Sequence, residues 1–337
     1  MTATTLFMAK RISIIGDGAW GTTLAILLRE KGFSVTVWSA FKDYAEEVQF
    51  SRENRKFLPH TMIPDGVLFT GDLKLAVGSA DILVLAVPSQ YVDGVLCRLK
   101  KLPYKGKLFV SVIKGLELRS FKTMSQLVQK ELGKVTIAVL SGPTIATEVA
   151  RKQPTTAVVA CADTKAAKEL QQIFSCDYFR VYTNKDVLGV ELCGSVKNVI
   201  ALACGVCDGL GFGTNAKAAL MTRGLVEMAR LGKALKAQPE TFMGLAGLGD
   251  LATTCFSPNS RNRTVGQEIG KGRSIQDILA NMDAVAEGVV TVKAAHHLAG
   301  KLDIDMPITR AVYEMVYQKK PAQEVVSELM TRSLKQE

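Results

Sequence analysis

The sequence predicts an α/β chain: a doubly wound, largely parallel sheet in the first half, followed by an all-helical C-terminal domain. Three observations carry this reading. Residues 11 to about 185 alternate short apolar runs with stretches of helical periodicity. Several of those runs are continuously apolar, as strands covered on both faces are. From Asp186 onward the texture changes to long helical patterns with no strand-like run.

The expected strands, in order, are Ile12–Ile15, Ser34–Trp38, Ile82–Val87, Leu108–Ile113, Thr136–Leu140, Ala157–Ala160 and Phe179–Tyr182. The segments between them are long enough for crossover helices, which parallel strands require. The expected helices of the second part include 187–206, 216–235, 289–298 and 322–334. At 337 residues the chain exceeds one typical core of about 150 residues, and the boundary is placed between 186 and 187. Hydrophobic residues make up 47% and charged residues 22%, a balance that buries sizeable cores and argues against long disorder.

The longest uninterrupted apolar runs, such as Ile82 to Val87, fall far short of the roughly 18 residues that a membrane helix requires. The N-terminal "MTATTLFMAKR" has its apolar part before its charges, the reverse of a secretory signal. The expected location is the cytoplasm, without stable membrane insertion. Seven cysteines without framework spacing read as reduced thiols, and no metal site is expected. The net charge of +10 is compatible with nucleic acid, an anionic surface or phosphorylated small molecules. Its densest cluster, Arg98, Lys100, Lys101, Lys105 and Lys107, has only Tyr104 as an aromatic and reads as a solvated loop.

The first strand runs into "GDGAWG", with glycines at Gly16, Gly18 and Gly21. A strand before, a helix after and a second strand about 20 residues on give this G-x-G-x-x-G its meaning, a Rossmann-like dinucleotide site. Gly16 allows the tight turn, Gly18 the approach of backbone to a pyrophosphate, and Gly21 the packing of helix on strand. The helix start offers free N–H groups and a positive dipole end to the phosphates. An acid often closes the second strand to hold the adenosine ribose, but here Trp38 is followed by Ser39 and Ala40. Asp43 falls where it would begin a helix. With no carboxylate to repel a 2′-phosphate, and with Ser39 or Lys42 near enough in sequence to contact one, NADP is expected to be tolerated beside NAD.

Four further stretches bear on chemistry. "VIKGLE" sets Lys114, and "LSGPTIATE" sets Gly142 and Thr144, just past strand carboxyl ends, where open α/β sheets bind ligands. "ELCGSVKNVIALACG" puts Lys197 inside an otherwise apolar helix at the expected domain junction, flanked by Gly194, Val196, Val199 and Ile200. "GLGDLATTCFSPNSRNRTVG" supplies Asp250 and then Ser260, Arg261 and Asn262 near a helix start. Lysines also snorkel, and such a Ser/Arg/Asn cluster also caps helices. Desolvation and a nearby cation such as Lys114 would lower the pKa of Lys197 to a value useful for proton transfer, with Asp250 orienting it.

In order along the chain, GDGAWGT (16–22), NRKFLPHTMIP (54–64), VPSQ (87–90), KGLE (114–117), SGPT (141–144), FRVYTN (179–184), VKNVIA (196–201), GFGTNAKAALMTRGLVEM (211–228), GLGDL (247–251), SRNR (260–263), EG (287–288) and MPIT (306–309) resemble the NAD(P)-dependent sn-glycerol-3-phosphate dehydrogenase family of the bacterial type, nearly end to end. The resemblance implies reversible reduction of dihydroxyacetone phosphate to sn-glycerol 3-phosphate for glycerophospholipid synthesis, with NADH or NADPH, by a homodimer. It makes Lys197 the catalytic proton donor or acceptor. It puts substrate on Lys114, Gly142, Thr144, Lys197, Asp250, Ser260, Arg261 and Asn262. Its cofactor positions match Ala19, Trp20, Lys114, Ala146, Arg261, Val285 and Glu287, beside the glycines. Where many members carry His or Arg after the second strand this chain has Ala40, which leaves Lys42 as the basic partner.

Two other readings stay open on the residues alone. A different keto- or hydroxyacid reductase of similar build is disfavoured by the S-R-N-R cluster, which suits a phosphate monoester. A nucleic-acid-binding protein on a dead dehydrogenase frame is disfavoured by the intact Lys197 and Asp250.

Activity with both NADH and NADPH is expected, with at most modest preference. Ala40→Asp should shift the ratio of kcat/KM values toward NADH by repelling the 2′-phosphate; an unchanged ratio would show that position 40 does not face the adenosine ribose.

Overall fold

The computed structural model describes residues 10–282, 286–334 and 336. They form two compact units, one comprising residues up to 113 with 124–187, the other 114–123 with the chain from 188 onward. The ten-residue excursion at 114–123 therefore belongs to the second unit, although it is flanked in sequence by the first.

The first unit is a Rossmann-like, doubly wound sheet of eight strands: β1 (Arg11–Ile15), β2 (Ser34–Trp38), β3 (Val67–Thr70), β4 (Ile82–Leu85), β5 (Leu108–Ser111), β6 (Ile137–Ser141), β7 (Thr155–Ala160) and β8 (Phe179–Asn184). Their order is β3-β2-β1-β4-β5-β6-β7-β8. All neighbours pair in parallel except β6 with β7. The order reverses between β1 and β4, the switch point at whose carboxyl ends such sheets bind ligands. Helices α1 (Ala19–Glu30), α2 (Lys42–Ser51), α3 (Leu73–Ser79), α4 (Val92–Leu99), α5 (Met124–Leu132), α6 (Ala146–Ala150) and α7 (Thr164–Phe174) complete it.

Two cores explain the continuously apolar strands. Ile12, Ile14, Ile82 and Val84 join one cluster with Leu24, Leu28 and Phe174. Their chain neighbours Ile15, Leu83 and Leu85 join another with Leu73, Leu96 and Leu127. Successive side chains point to opposite faces, so a strand buried on both shows no alternation.

The third strand was not legible in the sequence. β3 is an edge strand of four residues that buries Val67 and Phe69 and exposes Leu68, too short for a periodic signal. β4 ends at Leu85 rather than Val87, because there the chain packs against the glycine loop: a Cβ on Gly16 would come within 2.7 Å of the Ala86 carbonyl.

The second unit is helical: α8 (Val187–Gly209), α9 (Thr214–Ala234), α10 (Pro239–Met243), a π-helical turn at Leu245–Gly249, α11 (Asp250–Phe256), α12 (Arg261–Gly270), α13 (Ile275–Ala280), α14 (Glu287–Lys301), α15 (Pro307–Tyr317) and α16 (Ala322–Met330). By length and a mean hydropathy of 1.6, α8 would cross a membrane, but it is a core helix, buried from Gly189 to Cys207. The start of α15 is held by Glu227 of α9, whose carboxylate accepts the N–H groups of Ile308 (2.6 Å) and Thr309 (3.1 Å) and the Thr309 hydroxyl (3.1 Å). Burial pushes that carboxyl up to about 7 against the pull of these donors. The MPIT (306–309) and GLVEM (224–228) stretches are thus two halves of one helix cap.

Candidate active site

In the second unit, α8 and α11 bring three predicted residues together. The Lys197 ammonium donates to Asp250 Oδ1 at 2.5 Å and to Thr254 Oγ1 at 2.6 Å. The Lys114 ammonium donates to the other carboxylate oxygen of Asp250 at 2.7 Å. Asp250 is 2% exposed and Lys197 5%. Burial pushes the Lys197 ammonium down to about 8; the Asp250 carboxylate opposes that shift and Lys114 adds to it. One carboxylate clamps two cations, and one of those cations is poised to give up a proton near neutral pH.

The local sequence explains each placement. Lys197 sits on a helix buried on every side, so its charge has no route to solvent of its own. Asp250 opens α11 directly after the π-helical turn, a local form frequent at functional sites. Thr254 lies one helical turn on, where its hydroxyl donates to the Asp250 carbonyl at 2.6 Å and accepts from Lys197. The sequence reading missed Thr254; its i, i+4 spacing from Asp250 is the signal that would have found it. Lys114 is set by the next residue: the Gly115 N–H donates to Ser195 Oγ at 2.9 Å, and Ser195 in turn donates to the Glu191 carbonyl on α8.

The Ser260, Arg261 and Asn262 cluster starts α12. Ser260 is its N-cap, accepting from the Arg263 N–H at 3.3 Å. Asn262 is buried and its side-chain oxygen accepts the Gly288 N–H at 2.9 Å, fixing the start of α14 next to Glu287. Arg263 Nε donates to Asp208 at 2.5 Å, and Lys217 pairs with the same carboxylate. Arg261 is exposed at the first position of the helix. Val285 lies outside the described residues.

What brings this helix start into place is a pair of glycine ladders that the sequence reading did not use. Gly205 and Gly209 on α8 face Gly266 and Gly270 on α12. A Cβ on Gly205 would overlap the Arg263 carbonyl oxygen, and one on Gly266 the Leu202 carbonyl oxygen. The backbones of the two helices are in direct contact, as small residues four apart permit.

In the first unit, Gly18 is the N-cap of α1, no side chain caps that helix, and its first turn holds no acid. A Cβ on Gly18 would meet nothing within 4 Å, so the loop opens a cradle over Ala19 and Trp20. Gly16 has φ +126°, a conformation costly for any other residue, and a Cβ on Gly21 would overlap the Gly16 carbonyl oxygen. The Trp20 ring packs on Phe179, centroids 6.1 Å apart. Ala146 begins α6, and its carbonyl accepts the Thr23 hydroxyl at 3.2 Å. Gly142 and Thr144 follow β6, the Thr144 hydroxyl donating to the Gly142 carbonyl at 3.2 Å. Lys42 starts α2, exposed, 3.7 Å from Glu46.

Ser39 departs from its expected role. It is wholly buried, its hydroxyl accepts the Phe41 N–H at 3.1 Å, and it lies beside the Asp17 carboxyl, whose pKa burial raises and Ser39 pulls back. Turned inward to Asp17, it is not offered to a 2′-phosphate. Among the described residues no cluster of His, Cys, Asp and Glu could hold a metal ion.

Comparison with known proteins gives a consistent result along the chain. Residues 11–167 match the family described as NAD-dependent glycerol-3-phosphate dehydrogenase N-terminus, and residues 186–327 its C-terminus. A glycerol-3-phosphate dehydrogenase [NAD(P)+] of Prosthecochloris aestuarii is 48% identical over 97% of this chain and 99% of its own. One from a Geobacter species is 50% identical over 98% and 99%. The crystal structure of glycerol-3-phosphate dehydrogenase from Coxiella burnetii superposes with a TM-score of 0.94 at 39% identity, covering 96% of this chain and 100% of that one.

Gly266→Ala should cost on the order of 1–3 kcal/mol in urea unfolding, the usual range for overpacking, because the new methyl must force α12 off α8. An unchanged midpoint would show that the two helices separate freely.

Proposed function

This chain belongs to the NAD-dependent glycerol-3-phosphate dehydrogenase family, and from that premise we propose how its residues carry the reaction. The chain is an NAD(P)-dependent oxidoreductase that reduces dihydroxyacetone phosphate to glycerol 3-phosphate, a precursor of glycerophospholipids. The uncapped start of α1 and the open side of Gly18 suit a dinucleotide pyrophosphate. In the first unit the reading puts the nicotinamide cofactor on Gly16, Gly18, Ala19, Trp20, Gly21 and Ala146, with Lys42 at the adenosine end; in the second unit the family resemblance assigns Lys114, Arg261 and Glu287 to cofactor. Reduced nicotinamide supplies the hydride.

The single observation that carries the chemistry is the buried Lys197 clamped by Asp250 and Thr254. Reduction leaves negative charge on the carbonyl oxygen, and that charge needs a positioned acid. An ammonium has three N–H groups; two are held by Asp250 and Thr254, and the third is directed to the substrate oxygen. Its depressed pKa lets Lys197 donate in reduction and, as the neutral amine, accept in the reverse direction. Burial first, and then Lys114 sharing Asp250, keep Lys197 from being a permanent cation, and Lys114 also holds substrate. In the second unit Arg261, with the N–H groups at the start of α12 and with Ser260 and Asn262 beside it, holds the phosphate dianion; in the first unit the family resemblance assigns Gly142 and Thr144 to substrate. The same reading takes the enzyme to work as a homodimer in the cytoplasm, on the strength of the family resemblance.

Lys197→Ala should lower kcat by about 100-fold or more while NADPH binding, followed by fluorescence, survives. In the unaltered enzyme, reduction should fall as pH rises through about 8, where the donor loses its proton; oxidation of glycerol 3-phosphate should rise through the same value. A Lys197→Ala enzyme with near-normal kcat, or matching pH trends in both directions, would sink the assignment.

Arg261→Lys keeps the charge but loses the forked guanidinium, so KM for dihydroxyacetone phosphate should rise about 10-fold or more. Unchanged KM for substrate and for cofactor would return Arg261 to a structural role.

A further inference from the structure

The NRKFLPHTMIP stretch carries a side chain that the chemistry above leaves unused. Asn54 is wholly buried, and each hydrogen-bonding position of its amide is engaged. Its nitrogen donates to the Asp17 carbonyl at 2.7 Å and to Thr22 Oγ1 at 2.8 Å. Its oxygen accepts the Tyr44 hydroxyl at 2.7 Å and the Phe57 N–H at 3.1 Å. The Thr22 hydroxyl donates to the same Asp17 carbonyl at 3.2 Å. Two donors therefore converge on one carbonyl, and it lies in the middle of the glycine loop.

That carbonyl belongs to the peptide joining Asp17 to Gly18. In a trans peptide the N–H points away from the C=O. Drawing the Asp17 oxygen inward onto Asn54 and Thr22 therefore turns the Gly18 N–H outward. The adjoining Gly18 is the residue whose Cβ would meet nothing within 4 Å. We infer that Asn54 is a positioning residue for the dinucleotide. Anchored by Tyr44 and Phe57, it fixes the peptide plane so that the Gly18 N–H, beside the first amides of α1, faces the pyrophosphate. A glycine loop is cheap to flex, so an outside clamp removes a conformational cost that binding would otherwise bear. The inference rests on the dinucleotide reading above. It has a distinct signature: the pyrophosphate is common to NADH and NADPH, so loss of the clamp weakens both alike.

Binding of NADH and of NADPH, by nucleotide fluorescence, is compared in the unaltered chain, Asn54→Asp, Thr22→Val and Thr22→Ser. Asn54→Asp keeps the shape and removes both donors. Thr22→Val removes the hydroxyl and serves should the first variant fail to fold, while Thr22→Ser restores it. The expected result is about 10-fold or greater weakening of both nucleotides, by the same factor, in Asn54→Asp and Thr22→Val. Thr22→Ser should bind normally, and KM for dihydroxyacetone phosphate at saturating cofactor should stay within about twofold throughout. Affinities within about twofold of the unaltered chain in a folded Asn54→Asp or Thr22→Val protein overturn the inference. So does weakening confined to NADPH, which would locate the effect at the 2′-phosphate. If the unaltered chain binds neither nucleotide, the dinucleotide reading falls and takes the inference with it.

Discussion

The Asp250 carboxylate is the group on which the proposed proton-transfer arrangement depends. Two ammonium groups share it, Lys197 at 2.5 Å and Lys114 at 2.7 Å, and it is almost wholly out of solvent. Two lysines drawn together without it would repel, and the buried one would lose its proton for good. With it, attraction opposes burial only in part, and Lys197 is left with a pKa of about 8, below that of an ordinary lysine. A buried ion pair is weak as a source of stability, because desolvation consumes much of the attraction. Here it sets the proton affinity of one atom.

Close backbone contact is the second constraint. Gly205, Gly209, Gly266 and Gly270 let α8 and α12 touch main chain to main chain, so that the helix carrying Lys197 and the helix beginning at Arg261 are rigidly related. The first unit uses the same device on a smaller scale, where Gly16 and Gly21 let the loop, α1 and the chain after β4 meet without side chains between them. In both units buried polar side chains fix the main chain at a loop or helix start: Ser195 holds the Gly115 N–H, Asn262 the Gly288 N–H, and Asn54 the Asp17 carbonyl.

Much of the fold was legible because the forces that make it are local or periodic. Buried strands are continuously apolar, so seven of the eight were readable; β3, half exposed at the edge, was not. The helical texture after Asp186 was equally plain. Sequence periodicity reports which face of an element is buried, however, and not which distant element buries it. No local signal told that residues 114–123 join the helical unit, or that Ser39 turns inward to Asp17.

The sequence by itself determined the chemical inventory: a glycine-rich turn between strand and helix, a lysine inside an apolar helix, an aspartate, and an arginine at a helix start. These follow from residue type and short-range spacing, which are properties of the chain as written. Only the tertiary structure decided that Lys114 and Lys197 meet on one carboxylate, 136 and 53 residues away along the chain, that Thr254 completes the clamp, and that Asn54 grips the glycine loop 37 residues before it. Hydrogen bonds of that span depend on the packing of whole helices and loops, and the geometry that gives each its strength exists only once those elements are in contact.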